Sequence, residues 1–232
     1  MDVAHVVNSQ NVIGEGPVWN VNEKSLYWVD IAGKKINRYS PETGKYEVFP
    51  VESEVGVIAL RVSPDSMITA GQEGFCFWTV GETGLERIVD PERKKSTSRF
   101  NDGKVDRAGR FWAGTMTSEG ASSSLYRLDA DKSVHVMETG ITIANGIGWS
   151  PDNTKMYFVD SLRYLIYEYE YELETGSIFN RKVLFESEPN YGIPDGLTVD
   201  KEGCTCCSFY GASRISKINK SGTIINTFTL TV

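Results

Sequence analysis

The 232-residue sequence predicts an all-β fold, because short alternating strands are separated by Gly, Pro, Asn and Asp. Five segments share one pattern, a leading residue followed by a strand and a polar turn, and they begin at Glu15, Ile58, Asp102, Asn145 and Asp195. The leading positions are separated by 43, 44, 43 and 50 residues. No stretch shows a sustained helical period. A period of about 43 residues with four short strands is typical of a β-propeller blade.

The remaining parts of each repeat follow in the same order. The first strand ends at a polar turn residue, which is Asn20, Asp106, Ser150 or Asp200. An aromatic or β-branched strand follows each turn: "LYWVD", "FCFWTV", "RFWAGT", "MYFVD" and "TCCSF". Further alternating strands are "KINRYS", "LERIVD", "SLYRLD", "LIYEYEYE" and "RISKIN", and polar turns such as "SPETGK" and "LETGS" close the units. A β-sandwich is the alternative, but it would not explain the regular period.

The sequence contains five blade repeats. A sixth repeat would begin near residue 240, whereas the sequence ends at Val232. A propeller that does not close leaves the edge of a sheet unpaired. We therefore expect a single β-propeller domain over residues 1–232. It is either C-terminally incomplete or a five-bladed ring with an unusual closure, and an open edge would be a surface for self-association.

Composition excludes several functions. The net charge of −7 argues against a nucleic-acid partner. No apolar run approaches the roughly 20 residues of a membrane span, and "MDVAHVVNSQ" lacks the basic start of a signal peptide. We therefore expect a cytoplasmic protein without a membrane partner. Cys76, Cys204, Cys206 and Cys207 fit neither a disulfide framework nor a zinc motif and are interpreted as small buried side chains.

Oxygen donors recur where the blades begin. In a propeller the first strand of each blade lines the central channel, so Glu15, Asn145 and Asp195 are expected to converge there. Two carboxylates and an amide suit one divalent ion, Ca²⁺, Mg²⁺, Mn²⁺ or Zn²⁺. The alternative is that these residues only form turns before glycine. Three oxygen donors at one repeat position favour the metal site.

Four segments resemble one family. "GEGPVW", "RFNDGKVDRAGRFWAGTM", "IANGIGWSPDNTKMYFVDS" and "IPDGLTVDKEG" are similar to segments of the senescence marker protein, regucalcin and gluconolactonase family. The resemblance implies a six-bladed propeller, of which about five blades are present here. It also implies one divalent metal ion in the channel and the hydrolysis of a sugar lactone.

The resemblance also implies roles for individual residues. Glu15, Asn145 and Asp195 would be the metal ligands, and Asp195 would also be the general acid/base. Arg99, Asn101 and Glu119 would bind the substrate. The residues alone leave the alternatives that Arg99 is an ion-pair partner of Asp102 or Glu119, that Glu119 is a plain loop residue, and that Asp102 caps the turn within "NDG".

Two other functions stay open. A non-enzymatic calcium-binding regulatory protein would need the three metal ligands but not Arg99 or Asn101. A protein-binding scaffold would need none of these residues. The polar set at the blade entries speaks against the scaffold, and Arg99 together with Asn101 favours the metal-dependent lactonase.

Overall fold

The computed structural model describes residues 4–63 and 65–230. This part of the chain contains twenty β-strands and two short 3-10 turns, Ser161–Arg163 and Pro189–Tyr191. The strands form five four-stranded sheets, and in each sheet the strands are hydrogen-bonded in chain order. Five successive four-stranded meanders are the blades of a β-propeller. The predicted fold class is therefore confirmed.

The blades follow one another along the sequence. The first two contain β1 Gly14–Asn20, β2 Ser25–Asp30, β3 Lys35–Ser40, β4 Lys45–Pro50, β5 Val55–Leu60, β6 Ser66–Gly71, β7 Gly74–Thr79 and β8 Glu86–Val89. The third and fourth contain β9 Ser98–Val105, β10 Phe111–Thr117, β11 Ser123–Leu128, β12 Val134–Ile141, β13 Ala144–Trp149, β14 Lys155–Asp160, β15 Leu165–Glu172 and β16 Ser177–Glu186. The fifth contains β17 Ile193–Val199, β18 Thr205–Tyr210, β19 Arg214–Ile218 and β20 Ile224–Thr229. The chain divides into two compact units, residues 4–103 and 104–230 of the described part, and the boundary lies within β9.

Strand order in the second blade differs from the prediction. "FCFWTV" lies in β7, the third strand, and "LERIVD" contributes to β8, the fourth. The second strand is β6, "SMITAG", which the sequence analysis missed because it lacks the aromatic residues of its counterparts. The small residues have a packing reason, since Ala70 is fully buried and Gly71 lies against the Glu54 carbonyl.

The leading position of the second blade was also predicted wrongly. Ile58 pairs with Thr69 inside the strand, beyond a bulge between Val55 and Val57. The residue at the bulge is Gly56. The spacing of the fourth blade does not apply here, because Ser63 is the third residue after β5, whereas Ser150 directly follows β13.

Alternation along the strands supplies apolar residues to two cores at once. In β14, Met156 and Phe158 belong to one buried cluster with Trp112 and Ile147. Tyr157 and Val159 point the other way and belong to a second cluster with Leu197, Cys207 and Phe209. A strand of this kind is apolar on both faces because a neighbouring sheet covers each one.

The polar turn residues act as the sequence predicts. The Asn20 side chain accepts hydrogen bonds from the amides of Asn22 and Glu23, at 3.1 and 3.2 Å. Asp200 accepts from Glu202 and Cys204, both at 2.9 Å. Such side-chain to backbone bonds fix the connection between the first and second strands of a blade.

A buried ionic network joins the third and fourth blades. The fully buried Asp106 carboxylate accepts from Arg110 Nε at 2.7 Å, Trp112 Nε1 at 2.9 Å and Tyr171 Oη at 2.8 Å. Arg110 also donates to the Leu173 carbonyl. Burial alone would raise the pKa of Asp106, but the hydrogen bonds from Trp112 and Arg110 outweigh it and lower this pKa below its ordinary value.

Two further predictions are that the cysteines are small buried side chains and that no segment spans a membrane. All four cysteines are free, and Cys76, Cys204 and Cys207 are buried. Burial raises the pKa of the Cys207 thiol to about 12, so that it stays protonated at neutral pH. No helix in the described part is long and apolar enough to cross a membrane.

Replacing Asp106 by Asn should lower the free energy of unfolding by about 3–5 kcal/mol at pH 7, because Arg110 would stay buried without its counter-charge. The carboxylate stabilises the fold above its unfolded pKa of about 4, and this contribution is lost as the pH falls through the lower folded pKa. The difference between variant and wild type should therefore shrink below pH 4 in urea titrations. Glu170→Gln, an exposed change in the fourth blade, is the control. A pH-independent difference would contradict the prediction.

Candidate metal and substrate site

Bulges interrupt the first strands of the first, fourth and fifth blades. The strand register shifts after Glu15 in β1, after Ala144 in β13 and after Pro194 in β17. Asn145 and Asp195 lie inside the shifts of β13 and β17, whereas Glu15 is still paired with Val29 directly before the shift of β1. The three residues correspond by count, since each lies five residues before the turn residue that ends its strand, Asn20, Ser150 or Asp200. A bulge re-aims its side chains relative to a regular strand. The role of these three residues in one metal site stays a prediction.

The third blade carries Asn101 at this position. The Asp106 amide donates to the Arg110 carbonyl at 3.0 Å, as the Asp200 amide donates to the Cys204 carbonyl at 2.9 Å. Asp106 and Asp200 are therefore counterparts. Counting back five residues from each gives Asn101 and Asp195. The sequence pattern had instead taken Asp102 as the leading residue of this blade. The Asp102 carboxylate accepts a hydrogen bond from the Gly103 amide at 2.7 Å.

A short chain of hydrogen bonds orients Asn145. Its side-chain nitrogen donates to the Ser161 hydroxyl at 2.9 Å, and that hydroxyl donates to the Pro194 carbonyl at 2.7 Å. Asn145 and Ser161 are both buried, at 8% and 3% exposure. Because the amide nitrogen faces Ser161, the amide oxygen points away from it. Ser161 thus connects Asn145 to the residue directly before Asp195.

Glycine allows the neighbouring first strands to approach. A Cβ atom at Gly146 would lie 2.8 Å from the Asp195 carbonyl oxygen and closer still to Leu197. Real Cβ atoms do not come so close to backbone, so any side chain here would push β17 away. The buried Cys207 thiol also lies close to this strand, 3.9 Å from the Asp195 carbonyl oxygen. Gly146 therefore decides how near Asn145 and Asp195 are to each other.

The unit of residues 4–103 holds Arg99 and Asn101 together. Arg99 Nη1 donates to Asn101 Oδ1 at 2.8 Å and to the Phe100 carbonyl at 3.1 Å. Its ion-pair partner is Glu54, with Nε 3.4 Å from Oε2, rather than Asp102 or Glu119. Burial lowers the pKa of Arg99, while the negative charges of Glu54 and Glu15 act in the opposite direction.

Gly56 plays the same part here as Gly146 plays in the other unit. A Cβ atom at Gly56 would lie 2.7 Å from the Asn101 carbonyl oxygen and nearer still to that of Phe100. Gly16, at the bulge of β1, has a positive φ of +58° that only glycine adopts easily. Close backbone approach therefore fixes the segment from Arg99 to Asn101.

Glu119 lies in the exposed loop that follows β10. Its amide donates to Thr117 Oγ1 at 3.2 Å, and its carbonyl accepts from the Ser122 hydroxyl at 3.4 Å. These contacts anchor the loop backbone. The role of Glu119 in binding a substrate stays a prediction.

The donor set fits a hard divalent cation. Among residues 4–63 and 65–230, no three His, Cys, Asp or Glu side chains are grouped as a metal site would need. A site in this part of the chain would therefore need an amide or carbonyl oxygen beside carboxylates. Asn145 supplies such an amide, whose nitrogen is turned to Ser161, and oxygen-only sets suit Ca²⁺ and Mg²⁺.

Ser161 and Glu54 were missed by the sequence analysis. Ser161 directly follows the aspartate at the end of "MYFVD", so its position after a repeated strand was the available signal. Glu54 directly precedes β5 and its bulge. Its position was missed because the sequence pattern placed the leading residue of the second blade at Ile58. Both residues act on a predicted site residue that is distant in the sequence.

The fold and the repeated polar position together define a β-propeller with oxygen-bearing side chains in the first strands of its blades. A profile of the "SMP-30/Gluconolactonase/LRE-like region" matches residues 13–232. The pentonolactonase XacC of Haloferax volcanii is 37% identical over 234 residues, which cover 98% of this chain and 77% of that protein. The chain belongs to the SMP-30/gluconolactonase/LRE-like family.

Two further relatives agree with this assignment. Regucalcin of Gallus gallus is 37% identical over 228 residues, covering 95% of this chain and 76% of that protein. The solved structure of a luciferin-regenerating enzyme matches with a TM-score of 0.90 and 35% identity, covering 95% of this chain and 77% of that chain. The family predicted from the four sequence segments is confirmed.

Replacing Gly146 by Ala should destabilise the protein by about 1–3 kcal/mol, the usual effect of forcing an extra methyl into a packed site. It should also weaken divalent-metal binding, because Asp195 would be displaced. Thermal unfolding and metal titration measure the two effects. Gly84→Ala is the matched control, since a Cβ there meets nothing within 4 Å. Equal unfolding temperatures and equal metal affinities in the two variants would contradict the prediction that the close approach of β13 and β17 matters.

Proposed function

We propose that this chain is a divalent-metal-dependent hydrolase that opens sugar lactones. The observation that carries the proposal is a repeated position five residues before the polar turn of each first strand, which holds Glu15, Asn145 and Asp195 in three blades and Asn101 in a fourth. The name of the pentonolactonase relative supports the reaction class. A five- or six-membered sugar lactone is the proposed substrate.

The proposed metal ligands are Glu15, Asn145 and Asp195. A bound divalent ion, Zn²⁺, Ca²⁺, Mn²⁺ or Mg²⁺, would supply Lewis-acid polarisation of the lactone carbonyl. Each of these ions accepts carboxylate oxygens. The hydrogen bond from Asn145 to Ser161 supports this role, because it fixes the orientation of the amide before any ligand arrives.

Asp195 is the proposed general acid/base. Its carboxylate takes a proton from the attacking water as the oxygen–carbon bond forms. The same proton then passes to the ring oxygen as the carbon–oxygen bond of the ester breaks, so that the product is the open-chain hydroxy acid. One water is consumed and no other reactant is needed.

Arg99 and Asn101 are proposed to bind the hydroxyl groups of the substrate, and Glu119 is proposed to contact it from the loop. Arg99 is a permanent cation with a rigid set of N–H donors, and its bond to Asn101 keeps the two side chains together. Substrate hydroxyls that bind these groups would hold the lactone still during attack, which lowers the entropic part of the barrier.

A non-enzymatic calcium-binding regulatory protein is the second candidate. It is favoured by the oxygen-only chemistry of Glu15, Asn145 and Asp195, which is the chemistry that Ca²⁺ prefers. Such a protein would use these ligands without using Arg99. Hydrolysis separates the two candidates.

The test is hydrolysis of δ-gluconolactone by protein stripped of metal and refilled with each ion in turn. We expect turnover that depends on the metal. Asp195→Asn should lower kcat by about a hundredfold or more, since it removes both the proton acceptor and a ligand charge. Glu15→Ala should lower metal affinity, whereas the exposed Glu86→Gln should change neither quantity.

Unchanged turnover in Asp195→Asn would contradict the proposed role of Asp195. Metal binding without turnover, lost in Glu15→Ala, would favour the calcium-binding protein over the hydrolase.

A further inference from the structure

We propose that Glu54 is a positioning residue that orients Arg99 and thereby sets a preference for hydroxylated lactones over plain ones. The inference rests on the proposed function. It assigns a specific task to a carboxylate that lies 45 residues before Arg99 in the sequence and that the repeat pattern does not reveal.

The contacts of Arg99 leave one edge of its guanidinium group for a ligand. Nε lies 3.4 Å from Glu54 Oε2, and Nη1 donates to Asn101 Oδ1 and the Phe100 carbonyl. Within the part of the chain that the structure describes, Nη2 makes no hydrogen bond. A guanidinium group has five N–H donors in one plane. Fixing Nε and Nη1 therefore fixes the direction in which the Nη2 donors point.

Glu54 is itself held by the backbone of the second blade. Its carbonyl accepts from the Gln72 amide at 2.9 Å. Gly71 lies so close that a Cβ atom there would overlap the Glu54 carbonyl. The Ser53 hydroxyl donates to Gln72 Oε1 at 3.3 Å. The chain around Glu54 is thus anchored to the turn between β6 and β7.

The environment of the ion pair makes it stronger than a surface pair. The Arg99 side chain is 17% exposed and that of Glu54 is 33% exposed. Charges that are partly removed from water interact more strongly than fully exposed ones. Without Glu54, the long Arg99 side chain would lose its only ion-pair partner within the described residues and gain rotational freedom.

The chemistry predicts selectivity for hydroxyl groups. An N–H edge held in one direction binds the oxygens of sugar hydroxyls, and a lactone without hydroxyls offers no such acceptors. A misdirected Arg99 should therefore weaken binding of the hydroxylated substrate and leave the plain lactone unaffected. The chemical step at the carbonyl should change little.

The experiment compares Glu54→Gln with wild type on δ-gluconolactone and on δ-valerolactone, which lacks hydroxyls. We expect KM for δ-gluconolactone to rise about tenfold, with kcat changed by less than about threefold and δ-valerolactone turnover unaffected. Glu52→Gln is the matched control, because Glu52 lies two residues away and accepts from the Leu85 amide at 2.9 Å. Equal losses on both lactones, or the same KM change in Glu52→Gln, would overturn the proposal.

A binding measurement separates this proposal from the proposed hydrolysis. Calorimetry with 1,5-anhydro-D-glucitol, a pyranose polyol without a carbonyl, reports on the hydroxyl contacts alone. If wild type hydrolyses no lactone but Glu54→Gln binds the polyol about tenfold more weakly, the hydrolase function fails and the role of Glu54 stands. Equal binding by wild type and Glu54→Gln, or no binding by wild type, would overturn the role of Glu54.

Discussion

The close approach of neighbouring first strands is the constraint on which the rest of the structure depends. Gly146 faces the backbone of Asp195 and Leu197, and Gly56 faces the backbone of Phe100 and Asn101. In both units a side chain at the glycine would push the next blade away. The strand register shifts at both glycines. At Gly146 the shift also includes Asn145, and a bulge changes the direction of such a side chain relative to a regular strand. Packing of the backbone and placement of the polar groups are therefore two results of the same local sequence.

Polar groups at these positions are held by partners from elsewhere in the chain. Ser161, directly after β14, orients the amide of Asn145, and Glu54 is the ion-pair partner of the Arg99 guanidinium group. Each supporting residue lies on an element that is anchored by backbone contacts. Function in this family member would thus depend on preorganised side chains and less on movement, since holding a group in place before binding reduces the entropic loss on binding. The buried network of Asp106, Arg110 and Tyr171 links the third and fourth blades.

The period and the turn residues predicted the blades because both follow from local chemistry. Asn20 and Asp200 cap their turns as expected, and the equivalence of Glu15, Asn145 and Asp195 follows from counting along the chain. The prediction for the second blade was wrong because β6 contains small residues instead of aromatic ones and because Ser63 lies two residues further from its strand than Ser150 does. Glu54 and Ser161 could not be predicted, because their partners are chosen by tertiary packing and not by sequence spacing.

Equilibrium dialysis of wild type and Asn145→Ala tests the proposed metal site directly. It measures the stoichiometry and the affinity of divalent-metal binding in each protein. This variant keeps both carboxylates and removes only the amide. We predict one ion per wild-type chain and an affinity at least about tenfold lower in the variant, since a ligand and its fixed orientation are lost together. No divalent ion bound by wild type, or equal affinity in Asn145→Ala, would contradict the proposal that Glu15, Asn145 and Asp195 hold a metal ion.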